Sequence, residues 1–416
     1  MPLATACGAG VGPSSRLSRR PRTLEATDQH RGWFQSSLLT SIALNNRAPY
    51  KICVTHGFVV DLDGKKISKS GTYEKPTAAD HFVGRYGADL LRLWASSIDY
   101  TSDVPFSEEM FTRLGDTYRR IRNTLRILLG NLYDFTPHPT LSPSRGEAGS
   151  NSAPATNRLS PGRGEDGGEG SLAFTLIDRW ILERLEQVIR DCRSAYEAFE
   201  FHKVYHTLNQ FCAVDLSSLY VDITKDRMYC DAADSPRRRA TQVVMHEIFN
   251  ALCRLLAPIL AFTAEEAWCH SVPTSRDSVH LQEFPEPEDR DGKMRPQAAR
   301  RGEGAPSALV AELLRLRGVI TQAIERARQE KLIGNTLEAR VVLNSDSDVT
   351  TNVGHEELEE FFIVSDLTVH QAKEATALVT KTPYAKCARC WRHRSTVGAS
   401  KVHPDLCDRC ENVVSR

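Results

Sequence analysis

Two groups of residues in this chain have the types and spacing to do chemistry. The first is Lys66-Ile67-Ser68-Lys69-Ser70, two lysines bracketing a serine with a second serine after them. Two ammonium charges and two small hydroxyls on one loop suit a polyphosphate, where negative charge must be neutralised as pyrophosphate departs. Lysine–serine loops are also ordinary solvated surface, so the pentad alone leaves both readings open. The second group is Cys387-x-x-Cys390 and Cys407-x-x-Cys410, with residues 391–406 between the pairs. Each Cys-x-x-Cys forms a tight turn with both sulfurs on one side, and two such turns close a tetrahedral four-thiolate site with no open position. The spacing therefore predicts a structural Zn2+, one per chain, on Cys387, Cys390, Cys407 and Cys410. His393 and His403 stand nearby as substitute ligands, although four thiolates already complete the shell. Arg389, Arg392, Arg394, Lys401 and Arg409 interleave with Trp391 around these cysteines. That is the composition of a small nucleic-acid contact, and equally of a solvated charged surface.

A third stretch, Glu25-Ala-Thr-Asp-Gln-His-Arg-Gly-Trp-Phe34, leads into a helical pattern. Thr27 or Asp28 would cap that helix. The functional reading is a turn presenting Glu25, Asp28 and Gln29 to an amino group or to ribose hydroxyls through charge-assisted hydrogen bonds.

The elements that must position these groups follow from apolar periodicity. A helix is predicted over 33–44 and a strand over 52–60, which runs into the Asp63-Gly64 turn and the lysine loop. Helices over 79–86 and 88–97 are separated by Gly87, and a longer amphipathic helix over 111–132 carries Tyr118, Arg119, Arg120 and Arg122. Residues 137–171 are rich in Pro, Gly, Ser and charge and hold a near-repeat, Leu141 to Glu147 and Leu159 to Glu165, which predicts a flexible insertion. Helical stretches over 176–199, 202–224 and 236–270, the last kinked at Pro258, have the spacing of a bundle. After a charged, proline-rich linker come a helix over 308–330, a strand over 338–343, a helix over 356–362 and a strand over 367–370, which predict a small α/β unit.

With 416 residues the chain has room for two or three domains. Lys+Arg and Asp+Glu both number 53, so any basic surface must be local. No apolar run reaches the roughly 18 residues of a membrane span, and a soluble protein with no membrane partner is expected. Seven of the eleven cysteines (Cys7, Cys53, Cys192, Cys212, Cys230, Cys253, Cys269) are scattered singly and read as reduced thiols of a reducing compartment. Residues 1–23 are rich in Gly, Ala, Ser and Arg without an acidic residue. They read as a disordered or non-homologous leader of a cytoplasmic protein, with organellar import as the minor alternative.

Taken together, Glu25 to Phe34, the Lys66 to Ser70 loop, Tyr86-Gly-Ala-Asp-Leu-Leu-Arg-Leu-Trp94, Val204 to Arg227 and Lys386-Cys-Ala-Arg-Cys-Trp391 resemble bacterial-type isoleucyl-tRNA synthetases of class I. Asp28 to Phe34 is more similar to the isoleucine enzymes than to their valine and leucine relatives. The resemblance implies activation of isoleucine by ATP with Mg2+, followed by transfer to tRNA(Ile). Glu25 matches the position that contacts the aminoacyl-adenylate, with Asp28 and Gln29 beside it. Lys69 matches the ATP-binding lysine of the signature loop, which Lys66, Ser68 and Ser70 complete. Ile67 stands where Met is usual, an apolar anchor of similar volume. The helical bundle becomes an anticodon-binding region, Tyr118 to Asn123 its junction with the catalytic part, and the zinc module an aid to holding tRNA.

No His-x-Gly-His occurs among the thirteen histidines, so the resemblance covers a C-terminal portion without the N-terminal catalytic half and editing domain. Two functions are expected from this. One is a ligase fragment inactive alone that works with an N-terminal synthetase polypeptide; the other is a non-catalytic tRNA-binding module. The expected fold is an α/β remnant of a Rossmann-like nucleotide-binding domain, then a mostly α-helical anticodon-binding bundle, a small α/β unit and a C-terminal zinc knuckle. The expected boundaries are 1–23 leader, 24–135 catalytic part, 136–172 insertion, 173–283 bundle, 284–306 linker, 307–380 α/β unit and 381–416 zinc module.

Overall fold

A computed structural model describes residues 22–67, 78–136, 174–271, 277–287 and 305–415. The chain divides into two compact units, Met1–Tyr118 with Cys192–His206, and Arg119–Asp191 with Thr207–Arg416.

In the first unit, β1 (Arg22–Ala26) and β2 (Ile52–His56) pair in parallel, Arg22 opposite Ile52 and Ala26 opposite His56. Parallel strands need a crossover, which α1 (Trp33–Asn45) supplies. Arg22 and Thr23, expected in the leader, are thus strand residues. A 3-10 turn, Thr27–Arg31, precedes α1, and the cap differs from expectation: the Gln29 side-chain oxygen accepts the Trp33 N–H at 3.2 Å, in place of Thr27 or Asp28.

The strand expected over 52–60 is broken after His56, and β3 is only Val59–Val60, paired in parallel with β4 (Val104–Pro105). Gly57 is the reason. Its N–H donates to the Tyr100 carbonyl at 2.9 Å, and a Cβ there would lie 2.3 Å from the Ser102 backbone, so only glycine admits this approach.

Helices α2 (Ala79–Tyr86) and α3 (Ala88–Ser97) flank Gly87, whose φ of +88° ends the first as its position predicts. Their aromatic faces meet the start of α4 (Glu109–Asn131): Phe82 and Tyr86 stack on the fully buried Phe111 at 5.5 and 5.0 Å, and Trp94 meets Phe106 edge-on at 5.5 Å. Tyr118, where the resemblance sets the start of a junction, is the last residue of the first unit before it resumes at Cys192.

The second unit is mostly helical and holds the helical stretch over 176–230 except for residues 192–206. Helix α5 (Leu176–Glu197) is followed by a continuous run of α6 (Phe201–Gln210), a π-helical stretch (Phe211–Tyr220) and α7 (Val221–Cys230). Hydroxyls support the widened turns, with Ser217 donating to the Cys212 carbonyl at 2.7 Å and Ser218 to that of Ala213 at 2.8 Å. Helix α8 (Pro236–Leu256) begins with proline, and the kink expected at Pro258 is a full break before α9 (Ala261–Cys269). Ile177, Ile181, Val244, Ile248, Phe249 and Leu252 are buried among these helices, each contributing about 1.5–3 kcal/mol relative to exposure.

Arg227, wholly buried, donates to Asp178 at 2.9 Å and to both carboxylate oxygens of Glu360 at 2.9 and 2.6 Å. Tyr220 donates to the second Asp178 oxygen at 2.7 Å.

The α/β unit comprises α10 (Pro306–Gln329), β5 (Ala339–Ser345), α11 (Val349–Asn352), α12 (His355–Phe362), β6 (Asp366–Gln371) and β7 (Thr376–Lys381). Its sheet order is β6-β5-β7, with β6 parallel and β7 antiparallel to β5. Alternate β5 residues Ala339, Val341, Leu343 and Ser345 are buried, and α10 buries Val310, Leu313, Ile320 and Ile324 at helical spacing. The last helix is α13 (Asp408–Val414). Among the described residues no helix is long and apolar enough to cross a membrane.

Candidate nucleotide half-site and metal centre

The parallel register sets Glu25 opposite Thr55, one residue before β1 and β2 end. The carboxyl ends of parallel strands are where open α/β sheets bind ligands, because loops there diverge and leave a crevice. Glu25 is partly buried there, while Asp28 lies exposed on the following turn. Gln29 leans on both neighbours, its amide nitrogen 3.5 Å from an Asp28 oxygen and its oxygen on the Trp33 N–H.

After β3 the chain reverses through a tight turn built by one side chain. Asp61 accepts from the N–H groups of Asp63 at 3.0 Å and Lys65 at 2.8 Å, and Gly64 takes the left-handed conformation at φ +80°. Lys66 then bridges back to Val60, and the Ile67 N–H donates to the Val59 carbonyl at 3.1 Å. The Lys66 ammonium rests 3.5 Å from the centroid of the Phe58 ring and 3.9 Å from an Asp28 oxygen. Both ion-pair partners are about half exposed, 53% and 52%, so the pair contributes little. The fold thus brings Asp28 and Lys66 together. Ser68, Lys69 and Ser70 lie outside the described residues.

Cys387, Cys390, Cys407 and Cys410 are all buried, and their sulfurs lie within 4.8 Å of one another. Cys390 and Cys407 are 3.8 Å apart, matching the separation of about 3.8 Å that two thiolates take around a tetrahedral zinc with 2.3 Å bonds. Arg389 donates to the Cys410 sulfur at 3.7 Å. Hydrogen bonds from Cys390 and Cys407, with Arg389 behind them, push the Cys410 thiol down, while the same sharing pushes Cys407 up. The four residues fit a structural zinc ion, which would cross-link the two turns. His393 is engaged elsewhere, its Nδ1 2.7 Å from the Tyr384 carbonyl.

The arginines of this module face inward, which its sequence does not reveal. Arg409 holds Asp226 of α7 through two bonds of 2.7 and 3.0 Å, and Arg392, only 6% exposed, lies 3.4 Å from the same carboxylate. Arg394 donates to Glu359 of α12 at 2.6 Å and to the Ser365 carbonyl at 3.0 Å. Arg389 donates to the Cys230 carbonyl. Burial alone would raise the Asp226 carboxyl, yet the Arg409 bonds and the Arg392 charge hold it below the usual range. A cleft of about 810 Å3 beside α7 and α12 is lined by these ion pairs. Four of the five cations that read equally as a nucleic-acid contact or a solvated surface therefore dock the module instead. Cys230, one of the scattered thiols, packs in the same cluster, and no sequence signal links it to cysteines more than 150 positions away.

Three family models match the chain: tRNA synthetases class I (I, L, M and V) over residues 21–107, the anticodon-binding domain of tRNA ligase over 178–343, and the zinc finger found in FPG and IleRS over 386–413. The isoleucine–tRNA ligase of Methylacidiphilum infernorum is 42% identical over 393 residues, covering 94% of this chain and 38% of that protein. Those of Caldanaerobacter subterraneus and Moorella thermoacetica are 38% and 41% identical, covering 93% and 94% of this chain and 39% and 40% of theirs. The chain thus spans about two fifths of the length of the curated relatives it matches. Among solved structures, a ternary complex of Agrobacterium radiobacter LeuRS with tRNA and LeuAMS is 16% identical over 65% of this chain and 29% of that one, at a TM-score of 0.48. Over some nine tenths of its length the chain is thus similar to one part of the isoleucine–tRNA ligases, and it carries matches to class I tRNA synthetases, to their anticodon-binding domain and to the IleRS zinc finger.

Proposed function

We propose that the chain supplies the second half of an ATP site and the tRNA-holding part of an isoleucine–tRNA ligase, acting on ATP with Mg2+, isoleucine and tRNA(Ile) in the cytoplasm. The observation that carries this reading is the meeting of Asp28 and Lys66, 3.9 Å apart beyond the parallel strands. In this reading Glu25, Asp28 and Gln29 hold the aminoacyl-adenylate, and Lys66, Ser68, Lys69 and Ser70 surround the β and γ phosphates. Positive charge there stabilises pyrophosphate as it departs, an effect that matters only when the phosphates are already positioned. In this reading a His-x-Gly-His segment, a motif that does not occur among these 416 residues, positions the phosphates for that charge to act on.

The helical bundle, followed by the zinc module, supports tRNA as the macromolecular partner. Isoleucine-dependent exchange of pyrophosphate into ATP tests the ligase reading. No exchange is expected from this chain alone, and exchange is expected once an N-terminal synthetase polypeptide is mixed in. Salt-sensitive tRNA binding without exchange in either case would favour a non-catalytic tRNA-binding module instead.

A further inference from the structure

Three of the arginines that dock the zinc module are matched by carboxylates: Arg392 and Arg409 by Asp226, and Arg394 by Glu359. Arg389 is matched differently. Among the described residues its guanidinium, partly buried, meets two acceptors that are not carboxylates, the Cys230 carbonyl and the Cys410 sulfur, the second at 3.7 Å. Both bonds leave the same terminal nitrogen, Nη1.

Each acceptor is the negative end of something larger. Cys230 is the last residue of α7, whose final carbonyls have no partners within the helix and carry the negative pole of its dipole. Cys410 is one of four buried thiols that would hold zinc as thiolates, and four negative charges against the ion's two leave such a cluster doubly negative. A buried charge is costly until it is paired, and Arg389 is the cation placed on a sulfur to pair it. Its reach is crosswise. Arg389 lies within the first Cys-x-x-Cys turn and donates to a sulfur of the second, while the Cys407 N–H of the second turn points back to the Cys387 sulfur at 3.4 Å.

We infer that Arg389 is the counter-ion of the metal–thiolate cluster, a positioning residue that holds the Cys410 sulfur toward the ion and ties the cluster to the end of α7. The inference rests on the four-thiolate metal site and is independent of the ligase reading. The test uses the full chain and its Arg389→Ala, Arg389→Lys and Arg392→Ala variants. Zinc affinity is measured by competition with a chelator, and the cobalt-loaded forms by their sulfur-to-metal charge-transfer absorption. Arg389→Ala should weaken zinc binding roughly 10- to 100-fold, the usual effect of losing an outer-shell partner. Its charge-transfer band should move to longer wavelength, because a sulfur deprived of its donor gives up electrons more readily. Arg389→Lys should recover part of both effects, since an ammonium restores the charge without the planar fork. Arg392→Ala loosens the docking without touching a sulfur, so its band should stay in place.

Unchanged affinity and an unmoved band in Arg389→Ala overturn the inference. Weaker binding with an unmoved band also overturns it, since Arg389 would then serve the docking alone. The same holds if Arg389→Lys is as impaired as Arg389→Ala, or if Arg392→Ala shifts the band as far. A full chain that takes up neither zinc nor cobalt overturns the metal site and the counter-ion with it.

Discussion

The carboxylate of Asp226 receives both terminal nitrogens of Arg409, at 2.7 and 3.0 Å, across 183 positions of chain. This bidentate pair, with Arg392 behind it, ties the metal module to the helix that ends at Cys230. Asp226→Asn should lower the stability of the zinc-loaded chain by about 1.5–3 kcal/mol in urea unfolding, the range for one hydrogen bond to a charged group. Faster amide exchange should appear over 221–230. An Asn variant with unchanged unfolding and exchange would show that the pair is incidental.

Removing the metal should reproduce that signature from the other side. A chelator, or Cys407→Ser, is expected to release one zinc per chain and to speed amide exchange over 221–230. The reason is that Arg389, Arg392, Arg394 and Arg409 depend on the cross-linked turns for their positions. Exchange that stays slow after the zinc has left would sever the proposed dependence.

Arg227 balances two buried carboxylates, Asp178 and Glu360, so Arg227→Ala strands both. A loss of about 3–5 kcal/mol is expected. Replacing all three residues together by apolar ones of similar volume should cost less than the single change, because no charge is then left unpaired. Unfolding of the two variants side by side decides the matter; a triple variant less stable than Arg227→Ala would contradict this account.

His246 carries a pH dependence whose sign follows from its burial. It is 7% exposed beside Phe135, and desolvation pushes its pKa down from 6.5 to about 4. Between those values the unfolded chain binds a proton that the folded chain refuses. Its contribution is therefore fully present above pH 6.5 and is lost as pH falls toward 4, by up to about 3 kcal/mol. His246→Gln should flatten the stability profile across that window, measured by urea midpoints at half-unit steps. An unchanged slope would assign the dependence to other groups.

Gly57→Ala tests the break that ends β2. The added methyl would meet the Ser102 backbone at 2.3 Å, so the segment over 100–103 must move. Overpacking of this kind costs about 1–3 kcal/mol. It should also loosen the turn that carries Lys66, seen as faster exchange at Ile67. A variant as stable as the parent, with the same exchange, would mean that the approach is slack.

Much of this protein was settled by local chemistry that its sequence displays. Gly87 separates two helices because a residue without Cβ takes φ +88° at no cost. The helices around Phe111, Leu208 and Ile320 follow from apolar residues three and four apart. The thiolate spacing foretold the four-sulfur cluster because each Cys-x-x-Cys is a complete turn in itself. Shorter or locally ambiguous elements were not legible. The strand Arg22–Ala26 exists because it pairs with Ile52–His56, and Thr376–Lys381 because it lies against Ala339–Ser345. The π-helical turns at Phe211–Tyr220 carry an ordinary helical pattern.

Above all, only the tertiary structure decided where charge points. Arg392 and Arg409 look like surface in sequence, yet their partner Asp226 lies more than 160 positions earlier, and a pair formed across the fold leaves no local periodicity to read. The same holds for Lys66. Its type and loop suggested a phosphate clamp, but its resting contacts with Phe58 and Asp28 arise only when parallel strands bring separate turns to one edge.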